Sequence, residues 1–153
     1  MKIVAVLLFS FVVGGFASDL SDPDEFMYFV KEKWEQILNK ATPQSENMKN
    51  ELAQVIDDNI EWKPCWVLAS KGKSHVLGRL TSMRRANKRI EIHKAEIIDE
   101  PEDNKIKEDE VTFFLYITYF AYTDRMYEIS TEFHAKKDGS TFKIYKAEEH
   151  CTF

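Results

Sequence analysis

The side chains best suited to chemistry in this chain of 153 residues are few and scattered. Four histidines, His75, His93, His134 and His150, share no HExxH, Cys-x-x-Cys or carboxylate–histidine spacing, so the pattern builds no metal site. No nucleophile elbow or triad signature is present either, and no cofactor is expected. Two cysteines remain, Cys65 and Cys151. Whether they act as thiols or as a bridge depends on compartment, and the N-terminus speaks to that.

Lys2 followed by the apolar run Ile3 to Phe16, with Gly15 and Ala17 as small residues before Ser18, is the pattern of a secretory leader cut after Ala17. The run is shorter than the roughly 17 to 25 residues that span a bilayer, and acids follow it, which argues against an anchor. The expected domain plan is residues 1–17 as signal peptide and 18–153 as one folded domain, secreted to the extracellular space. In an oxidising compartment a Cys65–Cys151 disulfide is the first expectation. Two buried free thiols are the alternative.

The formal charge is −5, with 21 basic and 26 acidic residues. Loss of the leader removes Lys2 and leaves 20 against 26, or −6. So acidic a chain is a poor partner for nucleic acid. No other stretch is long and uncharged enough to span a membrane, and no Asn-x-Ser/Thr acceptor occurs. The cluster Arg84, Arg85, Lys88 and Arg89 reads as a solvated helix end. The acidic run Asp99 to Glu110 lacks the glycine and spacing of a calcium loop and reads as a hairpin tip.

The elements that would position these groups follow from periodicity. Ser21 to Glu25 is a helix start, and Phe26, Phe29, Val30, Trp34, Ile37 and Leu38 form the apolar face of a first helix that Thr42 and Pro43 end. A second helix is predicted from Gln44 to Asp58, and an extended segment from Ile60 to Ala69, broken at Pro64. Ser70 to Lys73 reads as a turn. A third helix runs from Ser74 to Ala86, with Val76, Leu77, Leu80 and Met83 on its apolar face and Arg79 largely off it.

Four strands follow, Lys88 to Asp99, Glu110 to Thr123, Arg125 to Lys136 and Thr141 to Cys151. Asp138-Gly139 is a hairpin signal, and Thr123-Asp124-Arg125 a weaker reversal. The strand VTFFLYITYFAYT is apolar on both faces and should be central. Its successor alternates, with Ile129 and Phe133 on one face and Glu128, Glu132 and His134 on the other, the last expected to be solvated. The fold class is α+β, N-terminal helices on a strongly curved antiparallel sheet.

This order, with Asp58-Asn59-Ile60-Glu61-Trp62 at the first strand, Gly72 to Met83 as turn and helix, and Lys137 to Ser140 as the last hairpin, resembles the nuclear transport factor 2-like superfamily across nearly all of the chain beyond the leader. Leader and cysteine pair together look like a group of small secreted nematode proteins of unassigned activity. The resemblance implies a cone whose interior holds a ligand or a catalytic site. Tyr28, Trp34, Trp62, Phe113, Tyr119 and Phe133 are then candidate pocket residues. Ordinary core filling is the plainer reading of such aromatics.

Within that superfamily, isomerase relatives use an aspartate and a tyrosine inside the cone. Tyr28 and Asp58 are the residues nearest such placements, with a core-edge tyrosine and a helix-end carboxylate as the simpler reading. The scaffold hosts many functions. The expectation is therefore a secreted, non-enzymatic binding or interaction module with an apolar pocket. The alternative is a small isomerase- or dehydratase-type enzyme using a carboxylate and a tyrosine in the cone. A small apolar ligand and a homodimer through the sheet are the partners considered.

Overall fold

Asp22 begins the first helix by accepting a hydrogen bond on its side chain from the Glu25 backbone N–H at 3.0 Å, with Pro23 in the first turn and Asp24 and Glu25 complementing the dipole. The computed structural model describes residues 19–98 and 108–152; the predicted leader and most of the Asp99 to Glu110 run lie outside them. Helix α1 spans Pro23–Asn39 and buries Phe26, Met27, Val30, Trp34, Ile37 and Leu38, the face its periodicity predicts.

The first helix ends before Thr42 and Pro43, as expected, and the second begins with them, two residues ahead of Gln44: α2 is Thr42–Ala53, with the proline in its first turn. The Ser45 hydroxyl donates to the Ile37 carbonyl at 2.7 Å and ties α2 to α1. The second helix stops five residues before the expected Asp58. Strand β1 is Ile56–Lys63, because Ile56 and its successors lie alongside the far end of the chain: the Ile144 N–H donates to the Val55 carbonyl at 2.8 Å. That tertiary pairing outweighs the helical pattern.

Residues 64–69 form a loop, so the expected strand ends at Lys63, where Pro64 withdraws its N–H from the ladder. Ser70–Lys71, expected as a turn, is the short strand β2, antiparallel to Glu61 and Trp62. Gly72 then adopts φ +88° and precedes helix α3, Lys73–Ala86.

Strands β3 (Asn87–Ile97), β4 (Glu110–Ala121), β5 (Met126–Asp138) and β6 (Thr141–Cys151) complete a six-stranded sheet in the order β2-β1-β6-β5-β4-β3. The sheet is mixed, not purely antiparallel, because β1 runs parallel to β6. β4 lies between β3 and β5, as its two apolar faces require. Gly139 turns β5 into β6 with φ +67°, and Asp124 turns β4 into β5 with φ +59°, a conformation aspartate tolerates better than most residues.

Strand β6 carries one more residue than β5 at Tyr145: His134 faces Lys146, while Ala135 faces Ile144. This bulge reverses which parity of β6 points inward. Phe142 and Ile144 are buried before it, Ala147 and Glu149 after it. On the outer edge of the sheet, the Asn39 carboxamide bonds both backbone groups of Ile90, accepting from its N–H at 2.7 Å and donating to its carbonyl at 3.1 Å.

The core is a chain of aromatic rings between α1 and the sheet. Trp34 packs edge-on against Trp62 at 5.4 Å and Phe133 at 5.2 Å, and Phe113 stacks on Phe133 at 5.1 Å. Replacement of Trp34 by alanine should cost about 3 to 5 kcal/mol. Urea unfolding checks this, and a loss below about 1 kcal/mol would show that α1 is not a main support of the sheet.

Candidate functional site

Beyond the aromatic core, the inner face of the sheet and α3 diverge around a cavity of about 640 Å³. Met83 and Ala86 of α3, Tyr119 and Ala121 of β4, and Tyr127 and Ile129 of β5 supply most of its apolar wall. Trp66, from the 64–69 loop, stands at the mouth with its ring 5.5 Å from that of Tyr127. The volume suits a small organic ligand.

Two charged residues reach this wall. Glu149 is buried, and its Oε2 accepts a hydrogen bond from the Cys65 backbone N–H at 3.1 Å. Burial pushes its carboxyl above the usual range; the Cys65 N–H, the positive charge of Arg79 and the nearby Trp62 indole pull against that without cancelling it. The indole N–H itself finds no acceptor in hydrogen-bond geometry, and neither does the buried Nε of Arg79. The Arg79 guanidinium lies 5.1 Å from the Trp62 ring centre, a cation–π contact.

Tyr119 is buried and lines the same cavity. Burial raises its phenol well above the ordinary tyrosine value, so it stays protonated as a hydrogen-bond donor. The Trp34 indole N–H reaches its oxygen at 3.5 Å. The cavity thus combines a carboxyl disposed to hold a proton, a neutral phenol and a guanidinium with an unused N–H, all set in an apolar wall.

Cys65 and Cys151 are joined, their Cα atoms 6.1 Å apart. The bridge fixes the 64–69 loop to the end of β6, two residues from Glu149. Of the six aromatics proposed for a pocket, Tyr119 lines the cavity, whereas Trp34, Trp62, Phe113 and Phe133 are packed core beside it. Tyr28 is outside the cone altogether: it is 58% exposed, on the solvent side of α1. Asp58 is outside too, on β1, with a side chain 85% exposed. Its carboxyl pairs with Lys73 at 2.7 Å, and that contact holds it below the usual carboxylate range.

The histidines avoid the cavity. His134 sits on the outer face but is only partly exposed, its Nδ1 in contact with the Thr112 hydroxyl at 3.2 Å and its Nε2 2.9 Å from Glu132. Glu132 also meets His150 at 2.8 Å. Among the described residues no group of three or more His, Cys, Asp or Glu could hold a metal ion, and no helix is long and apolar enough to cross a membrane.

The two charged groups that matter were missed by sequence reasoning for different reasons. Arg79 follows Val76 by three residues and precedes Met83 by four, so it belongs to the helix stripe it was placed outside. Glu149 is hidden by the bulge at Tyr145, since counting by twos from Phe142 and Ile144 turns Glu148 inward instead.

No family model and no curated protein matches the sequence. Solved structures do match. An NTF2-like protein of unknown function from Pseudomonas putida KT2440 aligns with TM-score 0.62 at 12% identity, over 86% of this chain and 87% of that one. An NTF2-like protein from Burkholderia xenovorans LB400 gives TM-score 0.57 at 16% identity, over 86% and 92%. A protein with a cystatin-like fold from Caulobacter vibrioides, itself uncharacterised, gives 0.60 at 9% identity, over 88% and 90%. The chain therefore has the nuclear transport factor 2-like fold, an α+β cone with an open sheet. The narrower likeness to secreted nematode proteins gains nothing from these comparisons.

The raised pKa of Glu149 has a consequence for stability. The folded protein holds this proton more tightly than the unfolded chain does. Its contribution is therefore complete below the unfolded carboxylate pKa and is lost as pH rises through the folded value. Glu149→Gln removes that loss. Urea midpoints of wild type should thus fall relative to Glu149→Gln as pH rises out of the acid range, and parallel profiles would refute the assignment.

Proposed function

We propose that this protein is an exported, non-enzymatic carrier that binds a small, mostly apolar molecule in the cone, with the polar end of the ligand held by Glu149, Tyr119 and Arg79. The observation that supports this most directly is the cavity itself: about 640 Å³, mostly apolar in its wall, with Arg79, Ser82, Asn87, Thr123 and Glu149 as its polar lining. Sites with that balance bind by apolar burial and orient by a few hydrogen bonds. Burial favours the protonated form of Glu149, which can donate to a ligand carbonyl or hydroxyl, and the Arg79 Nε–H, which has no partner, offers a second donor. Export is supported by the leader pattern and is compatible with the Cys65–Cys151 bridge.

The test is titration with an environment-sensitive apolar fluorophore carrying one polar terminus. Ala121→Phe, which fills the cavity from β4, should abolish the fluorescence rise while leaving the circular dichroism spectrum unchanged. Binding undiminished in that variant would place the ligand elsewhere.

A second reading has its own support. Glu149 and Tyr119 line one cavity, and in its ionised form the Glu149 carboxylate could take a proton from a substrate carbon while the neutral Tyr119 phenol stabilises the enolate, the combination an isomerase-type reaction would use. Deuterium exchange from heavy water into an enolisable ketone, lost in Glu149→Gln, would favour it. An exchange rate equal to that of buffer would leave the carrier reading.

A further inference from the structure

We infer that the mouth of the cone docks on an anionic lipid surface. Seven large hydrophobic side chains stand out as exposed among the described residues, and five of them, Trp66, Val67 and Leu68 of the 64–69 loop, Tyr122 of the β4–β5 turn and Met126 at the start of β5, lie in two segments at this one end. Leu68 is 91% exposed. The loops are neighbours. Trp66 touches Tyr127 just after the β4–β5 turn, and the disulfide ties Cys65 to Cys151, which lies opposite Ile129 in the sheet. The Tyr122 N–H bonds the Ala86 carbonyl at 3.2 Å, which brings the end of α3 to the same rim.

A contiguous apolar rim around an apolar cavity calls for an occupant, and charge says which. Residues 61–71, 84–91 and 122–128 hold seven basic side chains, two lysines and five at the α3–β3 junction and the β4–β5 turn, against Glu61, Glu91, Asp124 and Glu128; seven less four is +3, in a chain of formal charge −5. Arg85 and Arg125 are exposed and make no ion pair among the described residues. An amphipathic Trp with adjacent Val and Leu, on a face of net positive charge that includes the unpaired Arg85 and Arg125, matches the interfacial zone of a bilayer that carries acidic headgroups. The two clusters have a shared geometry: the same seating that inserts Trp66, Val67 and Leu68 brings Arg85 and Arg125 to the headgroups. It also sets the cavity mouth against the acyl layer, so a hydrophobic ligand passes between membrane and cone without crossing water. The docking surface rests on the carrier reading only for what it loads.

The experiment is flotation of the purified protein with phosphatidylcholine vesicles, with and without phosphatidylserine, no ligand added. Flotation is expected with the mixed vesicles, far less with phosphatidylcholine alone, and should weaken as salt is raised. Tryptophan emission should shift to the blue on docking, and the shift reports Trp66, since Trp34 and Trp62 are already buried. The double variant Val67→Asp/Leu68→Asp, at positions exposed enough to leave the fold intact by circular dichroism, should lower flotation by at least about tenfold. Arg125→Glu should reduce binding to mixed vesicles alone. Ala121→Phe should float like wild type, so failure of the pocket and failure of the docking surface register separately. No flotation with mixed vesicles at low salt, or equal flotation of the double variant, would overturn the inference. So would self-association abolished by Leu68→Asp in the absence of any lipid binding.

Discussion

The bulge at Tyr145 turns β6 over partway along its length, and the two halves of the cone differ because of it. Before it, Phe142 and Ile144 face inward and join the rings of Phe26, Phe113 and Phe133 in a packed core. After it, the inward positions are Ala147, Glu149 and the bridged Cys151, none of which fills space as a phenylalanine would. With small and polar residues on β6 facing α3 there, one end of the molecule is solid and the other hollow. A single extra residue in a strand is a common way to re-aim side chains beside a site.

The hollow end would be loose without the connections made at its rim. The disulfide and the bond from the Cys65 N–H to Glu149 both restrain the 64–69 loop, one covalently and one through a carboxyl group that is itself buried. Glu149 is thus at once a wall of the cavity and a structural partner of the loop that overhangs it. A ligand that competes for its proton or its lone pairs acts on the loop as well. Trp66, resting on Tyr127, is the side chain through which such a change would be felt.

Much of this architecture could be read in the sequence. The stripe from Phe26 to Leu38 marked α1, the doubly apolar run after Glu110 marked an interior strand, and Asp138-Gly139 marked the last hairpin. The end of α2 could not be read, because Ile56 to Asp58 become strand through a parallel partner in β6, far along the chain, and no local signal records it. The candidate site was half legible. Tyr119 was identified from its strand, but four aromatics grouped with it proved to be core, since alternation gives the face of a residue and not its depth. Tyr28 and Asp58 were drawn from likeness to other cones and lie outside this one. Glu149 was concealed by a parity change that only the pairing of β5 with β6 reveals.

An open sheet has two borders, and here they are finished differently. One ends in β2, just two residues long. The other is β3, eleven residues long, and at its fourth residue the Asn39 amide occupies both backbone groups of Ile90, imitating a neighbouring strand. A side chain at the last turn of α1 thus closes the place where a foreign strand would otherwise add itself, and Lys88, Arg89 and Lys94 line the same border with charge. The helix that supports the core also guards the sheet against growth, so the cone can remain open on one side without becoming a template for aggregation.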